Sequence, residues 1–274
     1  MQAHEYHTLF DYEETYWWYR ALRGMLVAMC RQLGLGSSAR ILDAGCGTGK
    51  TVQVLRERVS KETYGFDLSE HAARYWPQRR LQRMCLGSIN AIPFQDESFD
   101  VAISVDVLEC ESVVERQACR ELWRVVRPEG YLILVVPAYQ WMMTPQHHRA
   151  VQACRRYSRG RVRGLLSETP GRLVRMTHYF MSLFVPIALY RLGRRFDRIS
   201  EDRAYSELRP LPRALNEWLF RVADWERRLV SVMDVPVGSS IIAVMQKAAD
   251  PTRGLPRHLV SEPDDEISKV HAVA

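Results

Sequence analysis

The sequence predicts an α/β protein built on a doubly wound, mostly parallel seven-stranded sheet. Three observations predict it. Short apolar runs alternate with helix-like segments from Ala39 to Val136, the order that winds a parallel sheet with helices on both faces. Two of those runs, Phe99–Val105 and Tyr131–Val136, are apolar almost without interruption, as strands buried on both faces are. The first run leads straight into a glycine-rich turn, Gly45-Cys46-Gly47-Thr48-Gly49, and then a helix.

Residues 1–36 read as helical and aromatic, crowding Tyr6, Phe10, Tyr12, Tyr16, Trp17, Trp18 and Tyr19 together; Gly34-Leu35-Gly36-Ser37-Ser38 stops them. Ala39–Asp43 is the first strand. Lys50–Val59 is a helix with Val52, Leu55 and Val59 on one face. Thr63–Asp67 is the second strand and ends in an acid. Ser69–Arg80 is the second helix, and Leu81–Leu86 the third strand, closed by Gly87-Ser88. Phe99–Val105, the helix Val113–Val126, the turn Arg127-Pro128-Glu129-Gly130 and Tyr131–Val136 follow. After Pro137 the alternation loosens. Helix-like stretches at Arg159–Ser167, Leu183–Arg195 and Leu211–Met233 surround a strand at Leu173–His178, and Ser239–Gln246 is the last strand. From about residue 249 the chain is polar and unpatterned, so 249–274 is expected to be a disordered tail.

At 274 residues the chain is long enough for one large domain with an elaboration. Its 47% hydrophobic and 26% charged residues exclude the disordered, collagen-like and disulfide-stapled classes. The net charge is +6, and 34 of the 38 basic residues are Arg, a bias that GC-rich coding produces by itself. Their placement is uneven. Between Arg149 and Arg198, twelve Arg stand against Glu168 and Asp197, a balance of +10. A field of that sign suits an anionic substrate, a phosphate-bearing carrier or a membrane surface. No nucleic-acid-binding module is recognisable, and none of that partner class is expected. The six Cys form no CxxC pair and read as reduced thiols. The N-terminus shows no signal pattern, and Tyr179–Tyr190, broken by Pro186, is shorter than the roughly 20 residues that span a bilayer. A cytoplasmic location is expected.

A strand, a glycine turn and a helix cradle adenosine or phosphate in several folds, because glycine admits positive φ and the helix start offers free N–H groups. Two readings compete. Ala44 to Thr51 ends in Gly49-Lys50-Thr51 like a P-loop, with Ala44 where the first glycine belongs and Val101–Asp106 as a metal-binding strand. The other reading is an S-adenosylmethionine site: Asp43-x-Gly45-x-Gly47-x-Gly49, followed some twenty residues on by Asp67, an acid able to accept both ribose hydroxyls.

Further motifs decide between them. Ile41-Leu42-Asp43-Ala44-Gly45-Cys46-Gly47-Thr48-Gly49, Gly65-Phe66-Asp67-Leu68-Ser69, Ala91 to Asp100, Val107-Leu108-Glu109 and Arg124 to Leu132 stand in one order and spacing. Over about residues 38–140 the chain resembles the class I S-adenosylmethionine-dependent methyltransferases, in particular the methyltransferase type 11 group. The resemblance implies a Rossmann-like fold. It divides the chain into an N-terminal helical lid (1–36), a cofactor-binding core (37–136), an α-rich acceptor-binding insertion (137–235) and the last core strand (236–248). It implies that Gly45, Cys46 and Gly47 underlie the methionine and ribose, with Asp43 near the amino group. Asp67 would hold the ribose hydroxyls and Leu68 would lie against adenine. Ser88 stands where the family has an Asp for the adenine amino group, so Ser88 or the Ile89 backbone would serve there. Asp106 would line the pocket, and Arg20 of the lid would meet the methionine carboxylate. Cys110 stands where a His often follows Leu-Glu.

The segment after the fifth strand usually forms the acceptor site in this family. Here His147-His148 and Arg155-Arg156-Tyr157 resemble one subgroup, and His147 or His148 is the candidate base. No carboxylate accompanies the histidine pair at ligand spacing, so no metal is expected. The expected activity is methyl transfer from S-adenosylmethionine to a small-molecule oxygen or nitrogen, the acceptor being anionic or apolar. Transfer to a lipid-linked or phosphorylated carrier at a membrane surface, a P-loop hydrolase, and a cofactor-binding scaffold without catalysis are the rival readings.

Overall fold

The computed structural model describes residues 1–194 and 210–249, and the side chain of every residue there except His147. The tail expected at 249–274 lies, after its first residue, outside the described residues.

The chain opens with helices α1 (Ala3–Tyr12) and α2 (Trp17–Gln32). Strand β1 (Ile41–Ala44), helix α3 (Lys50–Arg58), strand β2 (Thr63–Asp67), the single turn α4 (Glu70–Ala73) and strands β3 (Met84–Leu86) and β4 (Phe99–Val105) follow. Next come α5 (Glu115–Val125), β5 (Val126–Pro137), α6 (Pro145–Val151), α7 (Arg159–Leu166), β6 (Gly171–Tyr179), α8 (Phe184–Gly193), α9 (Arg213–Val232) and β7 (Ser240–Lys247). The strands form one seven-stranded sheet in the order β3-β2-β1-β4-β5-β7-β6. The first five run parallel; β7 is antiparallel to both β5 and β6. This is the expected doubly wound, Rossmann-like sheet.

Both faces are covered, which explains the nearly unbroken apolar runs. Successive residues alternate between two cores: Leu132, Leu134 and Val136 pack with α5 and α7 on one face, Ile133 and Val135 with α2 and α9 on the other. Ile241, Ala243 and Met245 of β7 alternate in the same way with Ile242 and Val244.

Three expectations are corrected. The helix expected at Ser69–Arg80 is only α4 plus turns: Tyr75 and Trp76 bond back three residues, to Ala72 and Ala73, Pro77 supplies no N–H to restore the helical ladder, and Arg80 sits at φ 54°. The turn Arg127–Gly130 is folded into the start of β5, where the register against β4 shifts and Glu129 takes φ 65°. The stretch 137–235 is α-rich but is not wholly an insertion: its β6 is the edge strand of the sheet. A short helix, α6, also forms there unannounced.

Candidate functional site

Because β1, β2, β4 and β5 are parallel, their carboxyl ends open on one edge, where open α/β sheets bind ligands. The glycine loop leaves β1 there. Gly45, Gly47 and Gly49 have φ of 82°, 54° and 87°, in the left-handed region that disfavours a side chain. Val107 at the end of β4 leaves no room at Gly45: a Cβ there would stand 2.4 Å from Val107 Cγ2. Gly45→Ala is therefore expected to destabilise the fold by about 2 kcal/mol through left-handed strain and crowding, read as a lowered urea midpoint; an unchanged midpoint would refute the packing argument.

The loop is strapped from outside. Trp76 Nε1 donates to the Gly47 carbonyl at 2.9 Å and Arg79 Nε to the Thr48 carbonyl at 3.1 Å. Asp67, at the end of β2, accepts from the Gly47 N–H at 2.8 Å and the Ser69 N–H at 2.9 Å. The carboxylate that ends one strand thus fixes the loop that leaves its neighbour.

Acids crowd this edge. Asp43 is buried, and its Oδ2 has no hydrogen-bond partner. Burial above all, with Asp67 and Glu13 adding negative charge, pushes its carboxyl up to about 7. Asp106, at φ 51° just after β4, leaves Oδ1 unpartnered. Burial raises it to about 7 against the opposing pull of Arg156 and Arg191. Glu109 is raised as well, by burial first and then by Asp106. Asp67 is raised by burial despite its two N–H donors. An acceptor-rich wall with orphaned carboxylate oxygens suits a ligand that brings hydroxyls and positive charge.

The N-terminal helices lie over this wall. Tyr6 of α1 is buried with its hydroxyl toward Asp67 and Ser69, Leu9 faces Gly47, and Phe10 stacks on Tyr75 at 4.5 Å. Between α1 and α2, buried Glu13 accepts from Thr48 Oγ1 and from Arg79 at 2.6 Å, while Arg23 donates to the Glu13 carbonyl. Arg20, expected at a methionine carboxylate, is placed elsewhere. It pairs with Glu217 and lies 3.8 Å over the Phe220 ring, bracing α2 on α9.

The remaining expected residues are dispersed. Buried Cys46 packs with Val52 and Trp76, and burial raises its thiol well above the usual range. Leu68 is exposed at the rim. Ser88 Oγ accepts from the Asn90 N–H at 3.2 Å, and Ile89 is buried in the core. Lys50, the P-loop candidate, is tied to Glu14 at 2.7 Å and Gln53 at 3.2 Å, so its ammonium is already engaged. The His148 ring is committed to the Ala153 carbonyl at 2.9 Å and Glu111 at 3.5 Å; the His147 side chain lies outside the described ones.

Sequence reading missed a different histidine. His178 on β6 is buried, stacks on Tyr139 with ring centroids 5.7 Å apart, and has Nε2 3.3 Å from the Tyr139 hydroxyl. Burial lowers its pKa, favouring the neutral ring. Tyr139, Trp141 and Phe184 form an aromatic wall beside it, with centroids 5.4–6.3 Å apart. Arg79, Glu13 and Trp76 were missed too, since only their distance along the chain, not any local pattern, pairs them with the loop.

Residues 42–134 match the family described as a methyltransferase domain. The malonyl-[acyl-carrier protein] O-methyltransferase of Serratia marcescens is 36% identical over 107 residues, 38% of this chain and 41% of that protein. The probable tRNA methyltransferase 9B of Mus musculus is 32% identical over 111 residues, 40% of this chain and 23% of that protein. The chain thus spans less than half the length of these relatives. Among solved structures, a geranyl diphosphate methyltransferase in complex with GPP and sinefungin superposes with a TM-score of 0.56 at 14% identity, covering 84% of this chain and 79% of that one. The likeness there is one of fold.

Proposed function

We propose that this chain, which carries a class I S-adenosylmethionine-dependent methyltransferase domain, is an enzyme that transfers the cofactor's methyl group to an oxygen or nitrogen of a small-molecule acceptor. The observation that carries the reading is the pair of buried acids, Asp43 and Asp67, ending adjacent parallel strands beneath a glycine loop of positive φ. Asp67 would take the ribose hydroxyls. Gly45 and Gly47 would let the ligand lie on the backbone. Asp43 and Asp106 would face its cationic part.

S-adenosylmethionine brings an already activated methyl group, so the protein has chiefly to align the acceptor in line and exclude water. The relatives' names span an acyl-carrier protein and tRNA, so the acceptor is read from this chain alone. The aromatic wall of Tyr139, Trp141 and Phe184 favours an acceptor with an apolar body. A hydroxyl acceptor needs a proton taken away, and neutral His178 beside Tyr139 is better prepared for that than His148.

Calorimetric titration with S-adenosylmethionine, S-adenosylhomocysteine and Mg-ATP tests the reading. Micromolar binding of both adenosyl ligands and none of ATP is expected. ATP binding alone would move the chemistry to Lys50 and Thr51 and sink the proposal.

A further inference from the structure

Helices α8 and α9 turn faces outward that nothing in the described chain covers. On α8 every exposed position is apolar, aromatic or glycine, and Val185, Leu189 and Leu192 make one stripe at i, i+4 and i+7. Val185 and Leu189 are each 64% exposed. The stripe is not core-facing, because the other side of the helix does that work. Phe184 packs on Tyr139 and Trp141, Ile187 joins the core, and Arg191 reaches the Met142 carbonyl at 3.5 Å.

On α9 the solvent stripe reads Trp218, Arg221, Trp225, Arg228, Val232, with the two indoles 55% and 60% exposed. No acid stands on this stripe. Glu217 pairs with Arg20, Asp224 with Arg227 at 2.8 Å and more loosely with Arg228 at 3.9 Å, and Glu226 is buried. Glu226 also ties the helices together: it accepts from the N–H groups of Met181 at 2.7 Å and Ser182 at 2.8 Å, just before α8. Ile187 shares a cluster with Leu219, Phe220 and Val222.

Large aliphatic groups exposed together mark an interaction surface. A second exposed stripe, on the helix that Glu226 ties to the start of α8, alternates Trp with Arg. Indoles settle at the boundary between hydrocarbon and headgroups, and guanidinium groups meet lipid phosphates. A second copy would bring this Arg-bearing stripe against another of the same sign, with no exposed acid of the stripe to offset it. No helix among the described residues is long and apolar enough to cross a membrane, so the geometry is that of lying on one.

We infer that the α8–α9 face docks on a bilayer surface rich in anionic phospholipid, α8 sinking Val185, Leu189 and Leu192 to the acyl boundary and α9 laying its Trp–Arg stripe among the headgroups. Docking brings the aromatic wall at Phe184 to the membrane side of the molecule. The inference stands independently of the methyl-transfer reading.

The test is co-sedimentation of the full chain with vesicles of phosphatidylcholine alone or mixed equally with phosphatidylglycerol. Binding to the anionic vesicles is expected at about 50 mM salt and release at about 500 mM. Tryptophan emission is expected to shift to the blue on binding, and Trp218→Ala with Trp225→Ala is expected to remove that shift. Leu189→Glu is expected to lower partitioning at least about tenfold, and Arg221→Gln and Arg228→Gln about fivefold each. All of these positions are exposed, and unchanged melting curves will show that the variants fold. Failure to sediment with anionic vesicles at low salt overturns the inference. So does binding that Leu189→Glu leaves intact, and so does a dimer in sedimentation velocity that Leu189→Glu dissolves. None of these readouts uses methyl transfer, so the two proposals fail separately.

Discussion

Asp67→Ala is expected to weaken S-adenosylmethionine binding by about a hundredfold or more while the sheet still forms. The carboxylate would make two charge-assisted hydrogen bonds to ribose hydroxyls, each worth about 1.5–3 kcal/mol, and about 3 kcal/mol is already a hundredfold. A second loss adds to the first. Asp67 accepts from the Gly47 N–H at 2.8 Å, so truncation also frees the loop on which the ligand would rest. Asp67→Asn is the intermediate case: its one amide oxygen can still accept from Gly47, but it carries no charge and its amide nitrogen cannot accept from the Ser69 N–H. An intermediate affinity for Asn is expected, with Ala weakest. Calorimetry with the three proteins decides it, and near-native affinity for Ala would remove Asp67 from the site.

The position of Asp67 beside the glycine loop was legible in the sequence because it is set locally. An acid closing the second strand of an alternating pattern stands, in a parallel sheet, beside the loop that leaves the first. Asp43, Gly45 and Gly47 were legible for the same reason. Arg20 was not, since the partner that claims it, Glu217, lies 197 residues away on α9. His178 sits on a strand whose pattern gives no sign that β6 pairs with β7 and runs up to the aromatic wall. The helix at Ser69–Arg80 failed for a reason present in the sequence at Pro77, which has no N–H to carry the helical ladder on. The strap of Trp76 and Arg79 on the glycine loop exists only because that helix breaks and the chain turns back.

Asp43→Asn is expected to stabilise the ligand-free protein above pH 7 and to weaken the cofactor's hold on it. The Asp43 carboxyl is pushed from its ordinary 3.8 up to about 7, by burial first and by Asp67 and Glu13 after it. Between those values the folded protein keeps a proton that the unfolded chain has released. The folded state then binds more protons, so stability falls as pH rises through roughly 4 to 7, and the whole penalty is present above that window. About three pKa units correspond to about 4 kcal/mol. Asn carries no charge and escapes the penalty, less about 1–3 kcal/mol for an amide group left without a partner. At pH 8 the variant should therefore unfold at higher urea than the native chain, and at pH 5 the advantage should shrink or reverse. An advantage equal at both pH values would mean that Asp43 titrates like an exposed acid. Saturating S-adenosylmethionine should reverse the order at pH 8. A ligand that supplies positive charge to Asp43 stabilises the native chain through its binding, and that gain is smaller for Asn. A buried acid without a partner destabilises the empty fold in the same pH range where it favours a cationic ligand. Paired melts with and without cofactor can detect both effects in one residue.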